Sequence, residues 1–285
     1  MKICRRERMS RAVWRALASL AAGVVLLGHA AGAQPGDGLK RRADLGAAFA
    51  PPGAGGRARV ASVAEGSALQ QAGLRADDRI LEIDGVAPRD AIHFGSQLLA
   101  LRGDSVVRLA VDRAGTRLQI EAKVPAMRRE ALPGLETVYT SVANPSGVRQ
   151  RAILTRPAGT ARRLPAILFV PWFSCDSLEF PNGARPGMSE FIHRVARESG
   201  MVLLRVDKPG VGDSEGDCAN SDLDTEIAGS RAGLELLRGH EWVDPSRIVL
   251  MGQSFSGAFL PVIARDIPVA GYVFINAGRA PGWSA

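Results

Sequence analysis

A serine hydroxyl attacks a carbonyl carbon well only when the chain lifts it clear of its neighbours and a base can take its proton. Ser254 stands in a run suited to the first condition, Arg247-Ile248-Val249-Leu250-Met251-Gly252-Gln253-Ser254-Phe255-Ser256-Gly257-Ala258. Here an apolar strand breaks through small residues into a helix. The pattern G-x-S-x-G needs small residues on either side because the backbone turns sharply and neighbouring elements come close; Ser256 occupies the second glycine position and Gly257 follows it. The chemistry implied is acyl transfer to water. The competing reading is a hydroxyl that merely caps a helix. A second polar string, Asp207-Lys208-Pro209-Gly210-Val211-Gly212-Asp213-Ser214, follows another apolar run, and Cys175 and Cys218 lie in separate loops.

The elements that must carry these residues can be read from periodicity. Ala166–Val170 is continuously apolar, as in a strand covered on both faces, and 201–206, 247–251 and 269–275 repeat the pattern. Helical stretches at 189–199 and 224–237 alternate with them, so the order strand, helix, strand, helix predicts a doubly wound, mostly parallel α/β sheet. Two further strands are expected at 136–142 and 149–156, around Asn144-Pro145-Ser146-Gly147.

Taken together, the Ser254 turn and the Asp207–Ser214 loop resemble the α/β-hydrolase family, with Lys208 and Pro209 departing from its usual D-x-R-G-x-G-x-S loop. The resemblance covers 136–285 and implies an esterase-like serine hydrolase with Ser254 as catalytic nucleophile. It also implies backbone oxyanion donors at Phe255 and at Phe173, with Trp172 as second choice, since Pro171-Trp172-Phe173 occupies the family's His-Gly-x position. The same parts would serve a serine peptidase or a thioesterase. In this fold the loops holding Cys175 and Cys218 rise at the same end of the sheet, so a disulfide between them is expected, against the alternative of two unrelated thiols.

The family's acid and histidine follow the nucleophile in chain order. In this sequence His29, His93, His193 and His240 all precede Ser254, the acid that follows it, Asp266, falls in the next helix, and Asn276 stands where a carboxylate is expected. His193 and His240 read as surface or structural. The expectation is therefore a carboxy-terminally incomplete α/β-hydrolase domain, with a pseudoenzyme as the other account.

Ahead of this region, residues 40–124 show strands near 57–63, 79–83, 105–111 and 117–124, with short helices at 67–73 and 90–101. The string GSALQQAGLRADDRILEIDG within it resembles a bacterial PDZ domain, although Asp77-Asp78 replaces the family's Gly-Asp pair. The resemblance implies a small mainly-β domain that accepts an extended or carboxy-terminal peptide as an added strand. The expected groove is formed by Leu45, Gly46 and Ala47 in the loop continuing to Phe49, with Phe94 and Leu98 on the facing helix. The alternatives are a spacer with its groove unused, or a peptide-binding protein whose hydrolase half is inert. Residues 125–135, with Arg128, Arg129 and Glu130, read as a linker.

At the amino terminus, Lys2, Arg5, Arg6, Arg8, Arg11 and Arg15 precede the uncharged run 16–33, which ends in Ala31-Gly32-Ala33. That order predicts a signal peptide over 1–33 and export to the periplasm or beyond, against an uncleaved anchor. The net charge of +7 includes +5 from these residues, leaving +2 for 34–285. A basic stripe for nucleic acid is therefore not expected. No cofactor or metal is expected either, and the partner implied is a small ester or acyl substrate.

Overall fold

Alternation along the central strands decides which face each side chain reaches. In the computed structural model, which describes residues 38–50, 57–183 and 187–276, Ala166, Leu168 and Val170 join one apolar cluster while Ile167 and Phe169 join another on the opposite face. A strand buried on both sides in this way must lie between two helical layers. Its sheet holds six strands: β6 (Leu135–Ala143), β7 (Arg149–Pro157), β8 (Leu164–Val170), β9 (Val202–Val206), β10 (Val243–Gln253) and β11 (Gly271–Ile275). They run in the order β11-β10-β8-β9-β7-β6, parallel from β11 to β9 and antiparallel at β7 and β6.

The helix Met188–Glu198 packs on the face of Ile167 and Phe169 through Ile192 and Ala196. The helix Leu223–Gly239 covers the other face with Leu234 and Leu237, beside the short helix Leu260–Ile263. The sheet is thus doubly wound, as the alternation of elements predicts. From β8 the chain goes to β9 on one side and returns to β10 on the other, so the carboxyl end of β8 is a topological switch point, where open α/β sheets place their ligands.

The first part of the chain forms its own antiparallel sheet. It comprises β1 (Ala47–Ala50), β2 (Arg59–Val63), β3 (Arg79–Ile83), β4 (Ser105–Arg113) and β5 (Thr116–Val124), in sequential order. Helices α1 (Ala68–Gln71) and α2 (Ala91–Ala100) complete it, capped by the side chains of Ser67 and Asp90. Asp77, at the position where a glycine is usual, has φ +71° and bonds Arg59 at 2.5 Å. Aspartate tolerates this left-handed backbone better than most residues, which explains how the turn survives the missing glycine. The three helices of the larger sheet follow as α3 (Met188–Glu198), α4 (Leu223–Gly239) and α5 (Leu260–Ile263).

Residues 125–135 do more than link. The Pro125 carbonyl accepts from Asp44, Met127 bonds Arg42, Glu130 is buried, and Leu132 enters the cluster beneath α3. The segment expected as a linker is held on both sides, as a strap. The expected signal peptide, 1–33, lies outside the described residues. Among those described, no helix is long and apolar enough to cross a membrane.

Candidate active site and peptide groove

Strand register brings three loops together. Val170 pairs with Gly252 and Phe169 with Arg205, so the segments after β8, β9 and β10 leave the sheet side by side. Gly252 is required at the last of these: a Cβ there would lie 2.8 Å from the Gly257 Cα and 2.9 Å from Leu260 Cδ2. The next residue but one, Ser254, has φ +58°, a left-handed backbone that costs a non-glycine residue about 1–2 kcal/mol. The helix beyond opens as a 3-10 turn, Ser254–Phe259, before α5. Pro261, with no N–H to give and a ring that crowds the preceding turn, confines the α-helix to its short form.

Ser254 is half-buried, and among the described residues its hydroxyl has no hydrogen-bond partner. It is not turned back to cap its own helix. Ser256, in contrast, is buried and donates its hydroxyl to the Pro171 carbonyl. The residue that departs from the usual glycine therefore fastens the turn after β10 to the loop after β8.

That second loop carries the expected oxyanion donors. Phe173 and Phe255 are 67% and 54% exposed, and their rings meet edge to face at 6.3 Å. Phe255 heads the 3-10 turn, where backbone N–H groups lack intrahelical acceptors. Among the described residues neither the Phe255 nor the Phe173 N–H has an acceptor. Trp172 instead donates its indole N–H to Asp176 at 3.2 Å, and its carbonyl accepts from Ser174. A cleft beside the elbow is lined by Pro171, Phe173, Phe255, Ser256, Phe259 and Ile227, with Lys208 and Glu226 paired at 2.9 Å in its wall. Among the described residues no histidine lines it. His193 lies 3.0 Å from Glu130, and His240 stacks edge-on against Trp242 at 4.9 Å. Cys175 and Cys218 are joined by a disulfide, which ties the loop after β8 to the loop after β9.

Sequence reasoning missed the ionic groups beneath these loops. Arg151 on β7 is fully buried and pairs with Asp207, Glu179 and Asp213. Burial pushes the Asp207 carboxyl above the usual carboxylate range, against the pull of Arg151. Burial acts in the same sense on Asp213, but Arg151, the Arg42 N–H and Arg41 outweigh it and hold that carboxyl low. A second group joins Glu130 to Arg205 at 2.7 Å and to His193. Burial would raise the Glu130 carboxyl; bonds from His193, Arg205 and the Phe180 N–H reverse that and bring it to about 2. The available signals were Arg205 inside the otherwise apolar strand Val202–Val206 and Arg151 at the start of the apolar run 152–154.

The expected peptide groove is only partly as drawn. Leu45, Gly46 and Ala47 line a groove with Leu98, and β1, with β2 as its one strand neighbour, is an edge strand. Phe94 is 4% exposed and packs edge-on against Phe49 at 5.8 Å. It is part of the core beneath the groove and does not line the wall, because the aromatic pair fills the space between β1 and α2.

Comparison with known proteins adds the following. Residues 43–124 match the family model described as a PDZ domain. No curated protein matches the chain. Solved structures similar to it include a hypothetical protein from Pseudomonas aeruginosa, at 25% identity and TM-score 0.42 over 52% of this chain and 45% of that one. A bacterial heroin esterase is similar at 23% and 0.40, over 52% and 46%. The α/β hydrolase GrgF from Penicillium sp. sh18 is similar at 21% and 0.40, over 50% and 46%. The chain spans a little under half the length of each. Residues 43–124 are a PDZ domain, followed by a mostly parallel α/β sheet whose solved neighbours include esterases and α/β hydrolases.

Proposed function

We propose that the protein is an exported serine hydrolase that cleaves carboxylic esters through an acyl-enzyme on Ser254. The observation that carries this reading is the left-handed Ser254, its hydroxyl unbonded among the described residues, next to two backbone N–H groups without acceptors. In the reaction the Ser254 Oγ attacks the ester carbonyl, and the negative charge that develops on the carbonyl oxygen is met by the N–H groups of Phe173 and Phe255. Collapse expels the alcohol, and water then releases the acid. The Oγ proton must pass to a base. His193 is engaged with Glu130 and His240 packs on Trp242, so this reading takes its acid and histidine from outside the described residues. The exposed Phe173 and Phe255 rings favour an apolar group on the substrate. Thioesters and amides would use the same parts.

Export is supported by the disulfide, which persists in an oxidising compartment. The PDZ domain is read as a receptor for an extended peptide, on the strength of the edge strand β1 beside an open groove. The test of the hydrolase reading is labelling of the purified full-length protein by a fluorophosphonate probe. Labelling is expected for the wild type and absent in Ser254→Ala; a wild type that stays unlabelled would overturn it.

A further inference from the structure

Helix α2 of the PDZ domain rests on the loop after β9. The Ser96 hydroxyl donates to the Asp217 carboxylate at 3.1 Å. Just past the carboxyl end of α2, Arg102 gives Nη1 to the Leu99 and Leu101 carbonyls at 2.7 and 3.3 Å, and Nη2 to the Ser214 carbonyl at 3.3 Å. A helix end leaves its last carbonyls without intrahelical donors, so one guanidinium both closes α2 and grips the neighbouring loop. Asp217 in turn caps the 3-10 turn Cys218–Asn220, accepting from the Ala219 N–H at 3.0 Å. The loop can double back beneath α2 because Gly210 has no side chain. A Cβ there would lie 2.6 Å from the Cys218 nitrogen and 2.8 Å from the Asp217 Cα. Between α2 and the loop runs an open cleft lined by His93, Gln97, Leu99, Gly210 and Gly216, so discrete polar bonds hold this seam.

We propose that α2 is a positioning element for the chemistry of Ser254: Ser96 and Arg102 set the loop after β9, and the Cys175–Cys218 disulfide passes that placement to the loop after β8, which carries Phe173. The inference rests on the hydrolase reading of Ser254 and adds that the PDZ domain is part of what makes the serine reactive. The path is short. Asp217 adjoins Cys218 in the chain, the disulfide crosses to Cys175, and Phe173 lies two residues before it. From Phe173 to Asp176 the hydrogen bonds among the described residues are local, to Trp172 or to one another, which leaves the disulfide as the covalent tie to the loop after β9. An oxyanion donor must stand within hydrogen-bond reach of the charge it meets, and a misplacement of about 1 Å can cost about a hundredfold in rate. Ser96 and Arg102 are therefore positioning residues, acting on Phe173 from another domain.

The experiment uses the full chain with two readings. Amide exchange of 171–179, followed by mass spectrometry, reports the hold on the loop after β8, and the rate of fluorophosphonate labelling reports Ser254. Ser96→Ala should raise the exchange and slow the labelling, each about fivefold, the effect of one ordinary hydrogen bond, with the urea midpoint hardly changed. Ser96→Thr, which keeps the hydroxyl, should return both readings to wild type. Arg102→Gln should act in the same sense as Ser96→Ala, by about tenfold. With Cys175 and Cys218 both replaced by serine, the α2 substitutions should add nothing further to either reading. Wild-type exchange in both α2 variants, or an effect of equal size with and without the disulfide, would overturn the proposal. Raised exchange with an unchanged labelling rate would overturn it as well, since the hold would then be structural alone. A wild type that stays unlabelled would overturn the hydrolase reading, and the exchange would then decide the tie from α2 by itself.

Discussion

At Ser254 a strained backbone and a free hydroxyl coincide, and strain of this kind persists only where the surroundings over-determine it. Two neighbours do so here. Gly252 lets β10 and the following turn approach more closely than any Cβ allows, and the Ser256 hydroxyl holds the Pro171 carbonyl. Ser256→Ala should therefore destabilise the protein by about 1–3 kcal/mol, because a buried carbonyl loses its donor. It should also slow fluorophosphonate labelling about tenfold, as the Phe173 N–H loses its placement relative to Ser254. Urea unfolding and a labelling time course check the two parts independently. An unchanged labelling rate would mean that Pro171 is positioned by the strand alone.

Among the elements, the three loops at the carboxyl ends of β8, β9 and β10 act together because the strands are in parallel register. The disulfide between Cys175 and Cys218 closes a 43-residue span between two of them. On the loop-entropy estimate such a closure stabilises by about 3–4 kcal/mol. Replacing both cysteines by serine, or reducing the bond, should lower the unfolding midpoint accordingly. Loss of the anchor on the loop after β8 should also reduce labelling of Ser254 while the protein remains folded. Calorimetry with and without reductant measures the first effect, and labelling below the midpoint measures the second. Equal midpoints would show that the packing of Leu178 and Trp172 against the sheet, rather than the covalent tie, holds this loop.

For the whole molecule, stability depends on buried charges that join segments far apart in sequence. Glu130 in the strap meets Arg205 on β9 and His193 on α3. Its carboxyl is lowered from 4.5 to about 2 on folding, so its contribution is fully present above the unfolded value. That contribution is lost as pH falls from about 4.5 through about 2. The shift corresponds to a few kcal/mol, on the order of 3. Wild type should thus exceed Glu130→Gln in urea midpoint at pH 6, and the gap should narrow steadily toward pH 3. A gap that stays constant with pH would place the cost of the substitution in lost packing instead of lost charge. The Arg41, Arg151, Glu179, Asp207 and Asp213 group ties the segment leading into β1 to the loops after β8 and β9 in the same way, which is why 125–135 is a strap.

Local chemistry was enough to read much of this protein from its sequence. Apolar runs such as 166–170 and 247–251 are strands because they are covered on both faces, and small residues around Ser254 announce a sharp turn whatever the rest of the chain does. The pairing of Cys175 with Cys218 followed from where the resembling fold puts two loops. What the sequence could not show were contacts whose partners are distant in the chain. The hydroxyl of Ser256 looked like a defect in a glycine pattern until Pro171 lay beside it. Phe94 looked like a groove wall until Phe49 filled the space. Glu130, beside Arg128 and Arg129, looked like the charge of a linker until Arg205 and His193 lay against it. Periodicity records which way a side chain points from its own backbone; only the packed tertiary structure decides what it meets there.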